Sequence, residues 1–261
     1  MKKICSISLM VAVVALLIAS VPVHASKMDS SIESSAKKSY VFKTYLKNDD
    51  IKIQSKDGAV TLTGTVSEES HKSLAQETAA GLPGVKSVDN KIELKGERPA
   101  ENSDAWLITK VKAALLFHRS VSGIKTEVNV KDGIVTLQGE ATSQAQKDLT
   151  TEYAKDVEGV KNVNNEMTVG KTSKKTRTAG DKIDDASITA QVKMTLLYHR
   201  STSALKTSVT TKKGVVTLDG KAKTADEKDL ATKFANDVNG VKEVKNRMTI
   251  DLSEFKTKGT V

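Results

Sequence analysis

Apolar positions follow two periods along the chain, and the alternation between them occurs three times. Across 104–118, Leu107, Val111 and Leu115 recur at every fourth position with Ile108 and Ala114 alongside, the stripe of an amphipathic helix. Ile188, Val192 and Leu196 repeat that stripe later in the chain, and Ile32, Ala36 and Tyr40 form a weaker version earlier. After the helix the period changes to two. Val128 and Val130 alternate with polar residues, Asp132-Gly133 interrupts, and Val135 and Leu137 resume the alternation. That pattern predicts a tight antiparallel hairpin, because glycine reaches positive φ without steric cost. A second helix is expected over 143–158, with Leu149, Tyr153 and Val157 inward. Ser143 with Gln146, like Thr224 with Glu227, has capping-box spacing. Val160, Val163, Met167 and Val169 then suggest a closing strand.

The hairpin block, Gly58 to Gly64, returns at Gly133 and Gly139 and again at Gly214 and Gly220. A later block returns at Gly84, Gly159 and Gly240, each followed by Val and Lys. Both blocks move by 75 and then 81 positions, so they belong to one repeat as long as a whole small domain. The nine glycines are read as structural, since none sits in a phosphate-binding G-x-G-x-x-G or Walker pattern. Gly123 lies outside the matched set and is expected to tolerate a side chain better than Gly133. Lys213 replaces the turn aspartate of the third copy and is expected to loosen that hairpin.

The order helix, strand, strand, helix, strand gives an α+β class: three tandem αββαβ domains, each a small three-stranded mixed sheet covered on one face by two helices. The expected boundaries are a leader at 1–25, domains at 28–94, 103–169 and 184–252, connectors at 95–102 and 170–183, and a tail at 253–261. The αββαβ order, the D-G-x-V-x-L-x-G hairpin and the later G-V-x-x-V block resemble the BON domain, a family named for an osmotically inducible periplasmic protein and nodulation proteins. The resemblance covers nearly all of the chain after the leader. It implies a non-catalytic protein that binds phospholipid or other envelope components in osmotic or envelope stress, or a periplasmic chaperone, holdase or adaptor for exported proteins.

Export fits that implication. Lys2 and Lys3 precede an apolar run at 7–19, and Val23-His24-Ala25 suits signal-peptidase cleavage after Ala25. The run is shorter than the roughly 20 residues that span a bilayer. Cys5, the only cysteine, precedes the run and would leave with it. The periplasm is therefore the expected location. Aromatic residues make up 3% of the chain and hydrophobic ones 38%, so three separate small cores are expected. After the leader, 39 basic residues stand against 32 acidic ones. The excess lies in 170–183, at +4, and in the third domain, at +3.

These charges suggest an anionic phospholipid surface as partner, with Lys171, Lys174, Lys175 and Arg177 as candidate contacts. Trp106, with Lys110 one turn on, is a candidate interfacial anchor, and Arg119 and Arg200 are further headgroup candidates. The other partner class is unfolded or envelope protein clients. Nucleic acid, small-molecule substrates, cofactors and metals are not expected. His118 and His199 occupy matching positions at the end of helix one, each followed by Arg and Ser. A cation there would meet the negative end of the helix dipole, with headgroup or metal contact as alternatives. The first copy has Lys43-Thr44-Tyr45 instead. No paired acid and base recur in a way that suggests catalysis.

Overall fold

The computed structural model describes residues 27–121, 123–170, 182–203 and 206–251. The leader, the tail and the cationic run of Lys171, Lys174, Lys175 and Arg177 lie outside them.

Domain 1 comprises α1 (Lys27–Lys38), α2 (Tyr40–Thr44), β1 (Asp50–Lys56), β2 (Ala59–Val66), α3 (Glu69–Ala80) and β3 (Ser87–Leu94). Domain 2 comprises α4 (Asp104–Leu116), a 3-10 turn (Gly123–Lys125), β4 (Glu127–Lys131), β5 (Ile134–Gln138), β6 (Glu140–Ala141), α5 (Gln144–Lys155), β7 (Asn162–Asn165) and β8 (Thr168–Val169). Domain 3 comprises α6 (Asp185–Tyr198), α7 (Arg200–Ser203), β9 (Lys206–Lys212), β10 (Val215–Ala222), α8 (Ala225–Asn236), β11 (Glu243–Asn246) and β12 (Thr249–Ile250). In each domain the middle strand pairs antiparallel with the strand before it and parallel with the closing strand, as in Val130 opposite Val135 and Val135 opposite Val163. The sheets are mixed, as the helical crossover requires.

The hairpin turns show why the three copies fold alike. Asp57, Asp132 and Lys213 all sit at φ 54°, each followed by a glycine between 81° and 84°. The turn therefore has the same form with lysine as with aspartate, and the expected loosening at Lys213 is not seen. The reason lies elsewhere in each domain. An aspartate at the start of helix one accepts both turn N–H groups: Asp29 from Asp57 and Gly58, Asp104 from Asp132 and Gly133, Asp185 from Lys213 and Gly214, at 2.6–3.0 Å. All nine matched glycines take positive φ, from 81° to 134°. Gly123 departs from expectation, because a Cβ there would lie 2.3 Å from the Leu115 carbonyl oxygen. Its freedom from the repeat pattern reflects a local close approach to the end of α4, where side chains are excluded.

A second repeated device holds helix two to the sheet. Asn90, Asn165 and Asn246 each donate to a helix-two carbonyl, of Lys72, Lys147 and Lys228, and accept the N–H two residues on. The capping boxes also form. Ser143 and Thr224 accept from Gln146 and Glu227, whose side chains accept from the residue before each cap, Thr142 and Lys223.

The expectation of three separate cores is wrong. Domains 2 and 3 share one continuous core, from Val111 and Leu115 through Tyr153 and Val163 to Ile188, Val192, Phe234 and Met248. Domain 1 builds its core around Ile32, Leu62, Leu74 and Ile92 and extends it onto Phe117, Ala186, Ala190 and Met194 of the other two domains. The element that makes this possible is α6, apolar on two sides. One side, with Ile188 and Val192, faces its own sheet, and the other carries Ala186, Ala190 and Met194, which domain 1 covers. Small domains bury too little surface to be robust alone, and packing against one another adds buried area.

Candidate functional site

The His-Arg-Ser elements of domains 2 and 3 meet each other. α4 and α6 end just before His118 and His199, and α5 and α8 end just before Asp156 and Asp237. The domains exchange these groups reciprocally. His118 Nδ1 lies 3.0 Å from Asp237 Oδ2, and His199 Nδ1 lies 3.3 Å from Asp156 Oδ2. The Arg119 N–H donates to the Asp237 carbonyl at 2.7 Å, and the Arg200 N–H to the Asp156 carbonyl at 2.6 Å. Ser120 donates its hydroxyl to Asp237, and Ser201 donates to Asp156. Because each partner stands 81 positions from its equivalent, the joint has local two-fold character, the arrangement of an isologous dimer within one chain.

At its centre the two imidazoles touch, Nε2 to Nε2 at 2.9 Å. The His118 ring lies against Tyr153 with centroids 3.9 Å apart, and His199 stacks on Phe234 at 4.3 Å. The symmetry breaks at one atom. The Tyr153 hydroxyl donates to Asp237 at 2.9 Å, whereas Phe234 in the matching position has no hydroxyl to offer Asp156. The rings are 2% and 0% exposed, so neither imidazole reaches solvent or a lipid headgroup.

The electrostatics follow from this enclosure. Loss of water pushes His118 below the ordinary imidazole range. Its bond to Asp237 resists that and His199 adds to it. Burial works against ionising Asp237, but bonds from His118, Ser120 and Tyr153 outweigh it and hold the carboxyl below the usual range. Asp156 is held low against the same burial penalty by His199 and Ser201. Burial and the Asp237 charge push the Tyr153 hydroxyl up, so it remains a donor. The serine hydroxyls donate to carboxylates, not to imidazoles, which is not the order that activates a nucleophile. Among the described residues, no group of three or more His, Cys, Asp or Glu is placed to hold a metal.

The other sequence candidates are not gathered into one site. Trp106 is half-buried on α4, with the Lys110 ammonium 3.8 Å from its ring centroid. Burial lowers the Lys110 pKa, with Glu158 and Glu101 opposing. Arg119 and Arg200 are exposed just beyond the far ends of their helices. Trp106 and Leu116 are themselves about 15 Å apart along α4, so Arg119 and Trp106 cannot clasp one headgroup. Arg119 leans toward Asp237, with Nε at 3.8 Å, and donates to the Val241 carbonyl at 3.5 Å. Arg200 lines an open groove of about 420 Å³ between α5 and α8, together with Leu149, Tyr153, Leu230, Lys233 and Phe234. No described helix is long and apolar enough to cross a membrane.

Asp156 and Asp237 were missed from the sequence, although a signal existed. The first copy lacks the histidine, having Lys43, and also lacks the aspartate, having Gly81 in its place. Paired presence and paired absence across copies mark residues that depend on one another.

Known proteins share this repeat. The chain is 33% identical over 143 residues to the osmotically-inducible protein Y of Escherichia coli, a match covering 53% of this chain and 71% of that protein. It is 33% identical over 116 residues to the 21 kDa hemolysin of Actinobacillus pleuropneumoniae, covering 43% of this chain and 59% of the relative. It is 32% identical over 109 residues to the outer membrane lipoprotein DolP of Haemophilus influenzae, covering 41% and 56%. The family model of the BON domain matches residues 28–96, 103–171 and 184–251. With three matches spanning most of its length, the chain belongs to the BON-domain family.

Proposed function

We propose that this protein is a non-catalytic envelope protein of the periplasm, acting in osmotic or envelope stress, that meets anionic phospholipid through helix one of domain 2. The carrying observation is the Trp106–Lys110 pair. The matching face of α1 presents Ser31 and Ser35 to solvent, and that of α6, with Ser187 and Gln191, is buried against domain 1. Among the three copies of helix one, only α4 has an aromatic residue with a cation at these positions on an accessible face. An indole suits the boundary between headgroups and acyl chains, and a cation–π contact there contributes about 0.5–2 kcal/mol. Glu101 and Glu158 temper the local charge, so Lys171, Lys174, Lys175 and Arg177 supply most of the long-range attraction in this reading, at most roughly 1 kcal/mol each. The relatives named for osmotic induction and for an outer-membrane lipoprotein support an envelope role.

Flotation with vesicles of anionic phospholipid tests it. Trp106→Ala should weaken binding with little change in salt sensitivity. Replacing the four connector cations with Gln should weaken binding about ten- to a hundredfold and flatten the salt dependence. Wild-type protein that ignores anionic vesicles at low salt overturns the reading.

A second reading has its own observation. The groove between α5 and α8 places Leu149, Leu230, Tyr153 and Phe234 along an open cleft, which suits an apolar side chain of an unfolded client. In that reading Leu230→Asp reduces suppression of client aggregation in the absence of lipid, and Trp106→Ala does not.

A further inference from the structure

We infer that the joint between domains 2 and 3 is a proton-binding site: it holds one proton beyond the complement of two neutral imidazoles, and uptake of a second parts the domains. Four ring nitrogens have to be supplied with hydrogens. His118 Nδ1 faces Asp237, His199 Nδ1 faces Asp156, and the two Nε2 atoms face each other at 2.9 Å. Each carboxylate accepts only, so each Nδ1 needs a hydrogen. The Nε2–Nε2 contact needs one hydrogen, on either ring. Two neutral imidazoles carry two hydrogens in total, one too few. A bare nitrogen would then face a buried carboxylate, or the two Nε2 lone pairs would face each other. Two imidazolium rings carry four, one too many, and would set two N–H groups head to head. Three hydrogens satisfy the His118–Asp237 and Nε2–Nε2 contacts and turn an N–H, in place of a lone pair, toward Asp156 at 3.3 Å.

The surroundings suit a single positive charge. Asp237 faces His118 together with Tyr153 and Ser120, and Asp156 faces His199 together with Ser201. Of the two arginines, Arg119 approaches only the outer oxygen of Asp237, and Arg200 points to the groove. His118, held below the ordinary imidazole range by burial, suits the neutral partner that accepts at Nε2. His199 Nδ1 meets Asp156 as a charge contact at 3.3 Å without hydrogen-bond alignment, which an imidazolium tolerates and a lone pair does not.

The pH dependence of pairing follows by linkage. A pair of solvated imidazoles, with the ordinary value of about 6.5, holds two hydrogens above it and four below, and that is the reference for the separated form. Paired, they hold three. Below about 6 the separated form binds one proton more, so pairing weakens about tenfold per pH unit on acidification. Above about 7 the separated form binds one fewer, and pairing weakens on the alkaline side as well. The pairing equilibrium is therefore bell-shaped, with its maximum near the imidazole range. The carboxylates add their own loss only below about pH 4.

The test uses the full chain. In 15N-histidine-labelled protein at pH 6.5, a scalar coupling between the two Nε2 atoms is expected, together with nitrogen shifts of one imidazolium and one neutral ring. Dyes on exposed Gln144→Cys and Ala225→Cys, in a Cys5→Ser background, report separation of α5 from α8. Their separated fraction should rise about tenfold per unit between pH 6 and 4. His118→Gln replaces the neutral ring with a side chain that both donates and accepts, so it should abolish that slope. Shifts of two neutral rings without coupling, or an unchanged acid slope in His118→Gln, overturn the inference. If His118→Gln does not close at any pH, the wild-type coupling decides alone.

Discussion

Asp104 and its counterparts Asp29 and Asp185 set the hairpin of each domain from outside the hairpin. Asp104 takes the N–H groups of Asp132 at 2.8 Å and Gly133 at 3.0 Å. Charge-assisted bonds are worth more than neutral ones, but this carboxylate is only half-buried, so Asp104→Ala should cost about 1–2 kcal/mol. Asp104→Asn should recover part of it. Urea unfolding of both variants measures the difference, and equal midpoints would show that the turn holds itself. At the joint, Asp156 and Asp237 are both held below the usual carboxylate range, which fixes the sign of their acid response. Their stabilisation is fully present above about pH 4, the unfolded value, and is lost as pH falls through the depressed folded range. The urea midpoint should therefore drop between pH 4 and pH 2.5. Asp237→Asn, less stable at neutral pH, should drop by less over that interval.

Helix one appears three times with three different outer faces, and this difference organises the molecule at the level of elements. α6 is enclosed on both sides, and its N-cap Asp184 serves both neighbours, accepting from Ser187 of its own first turn and from Tyr40 of domain 1. Ser187 in turn accepts from the Val41 N–H at 3.1 Å. The enclosure leaves polar atoms behind: Gln191 Oε1 and Thr195 Oγ1 are buried with no hydrogen-bond partner. An orphaned buried hydroxyl costs about 1–3 kcal/mol, and an apolar group of the same shape removes that cost. Thr195→Val should accordingly raise stability by about 1 kcal/mol. A rise in the melting temperature checks it, and a fall would mean that the hydroxyl is satisfied. Its counterpart Ala114 carries no such atom, which is the sense in which α4 is the cleaner helix and α6 the one fitted to two neighbours.

At the scale of the whole chain, what was legible was whatever lies within one repeat. The shared offsets located the hairpins, the caps and the mixed sheet, because turn geometry and periodicity are local properties. The joints were not legible, because contacts such as His118 with Asp237 or Tyr45 against Phe117 link different copies, and periodicity says nothing about which copies touch. Of the surface candidates, Trp106 could be singled out by its lack of counterparts, but its Lys110 partner gains meaning only from the ring contact. The joints also change what a protease should do. Cleavage at the exposed connector 95–102, near Arg98, is still expected, since few contacts cross it beyond the Arg98–Glu69 pair. The pieces should nevertheless remain together. Phe117 and Met194, fully buried in the core of domain 1, contribute about 1.5–3 kcal/mol each. The Tyr40 and Val41 N–H bonds to Asp184 and Ser187 add about 1 kcal/mol each. The half-exposed Lys193–Glu77 pair adds less than about 1. Set against the freedom two separate pieces lose on associating, gross attraction of this size leaves only weak, concentration-dependent association once the tether is cut. Nicked protein should therefore elute as one species when loaded at several hundred micromolar and release domain 1 on hundredfold dilution, while domains 2 and 3, joined through a continuous core, stay together. Release of domain 1 at every concentration would show that its packing on α6 is too weak to organise the chain.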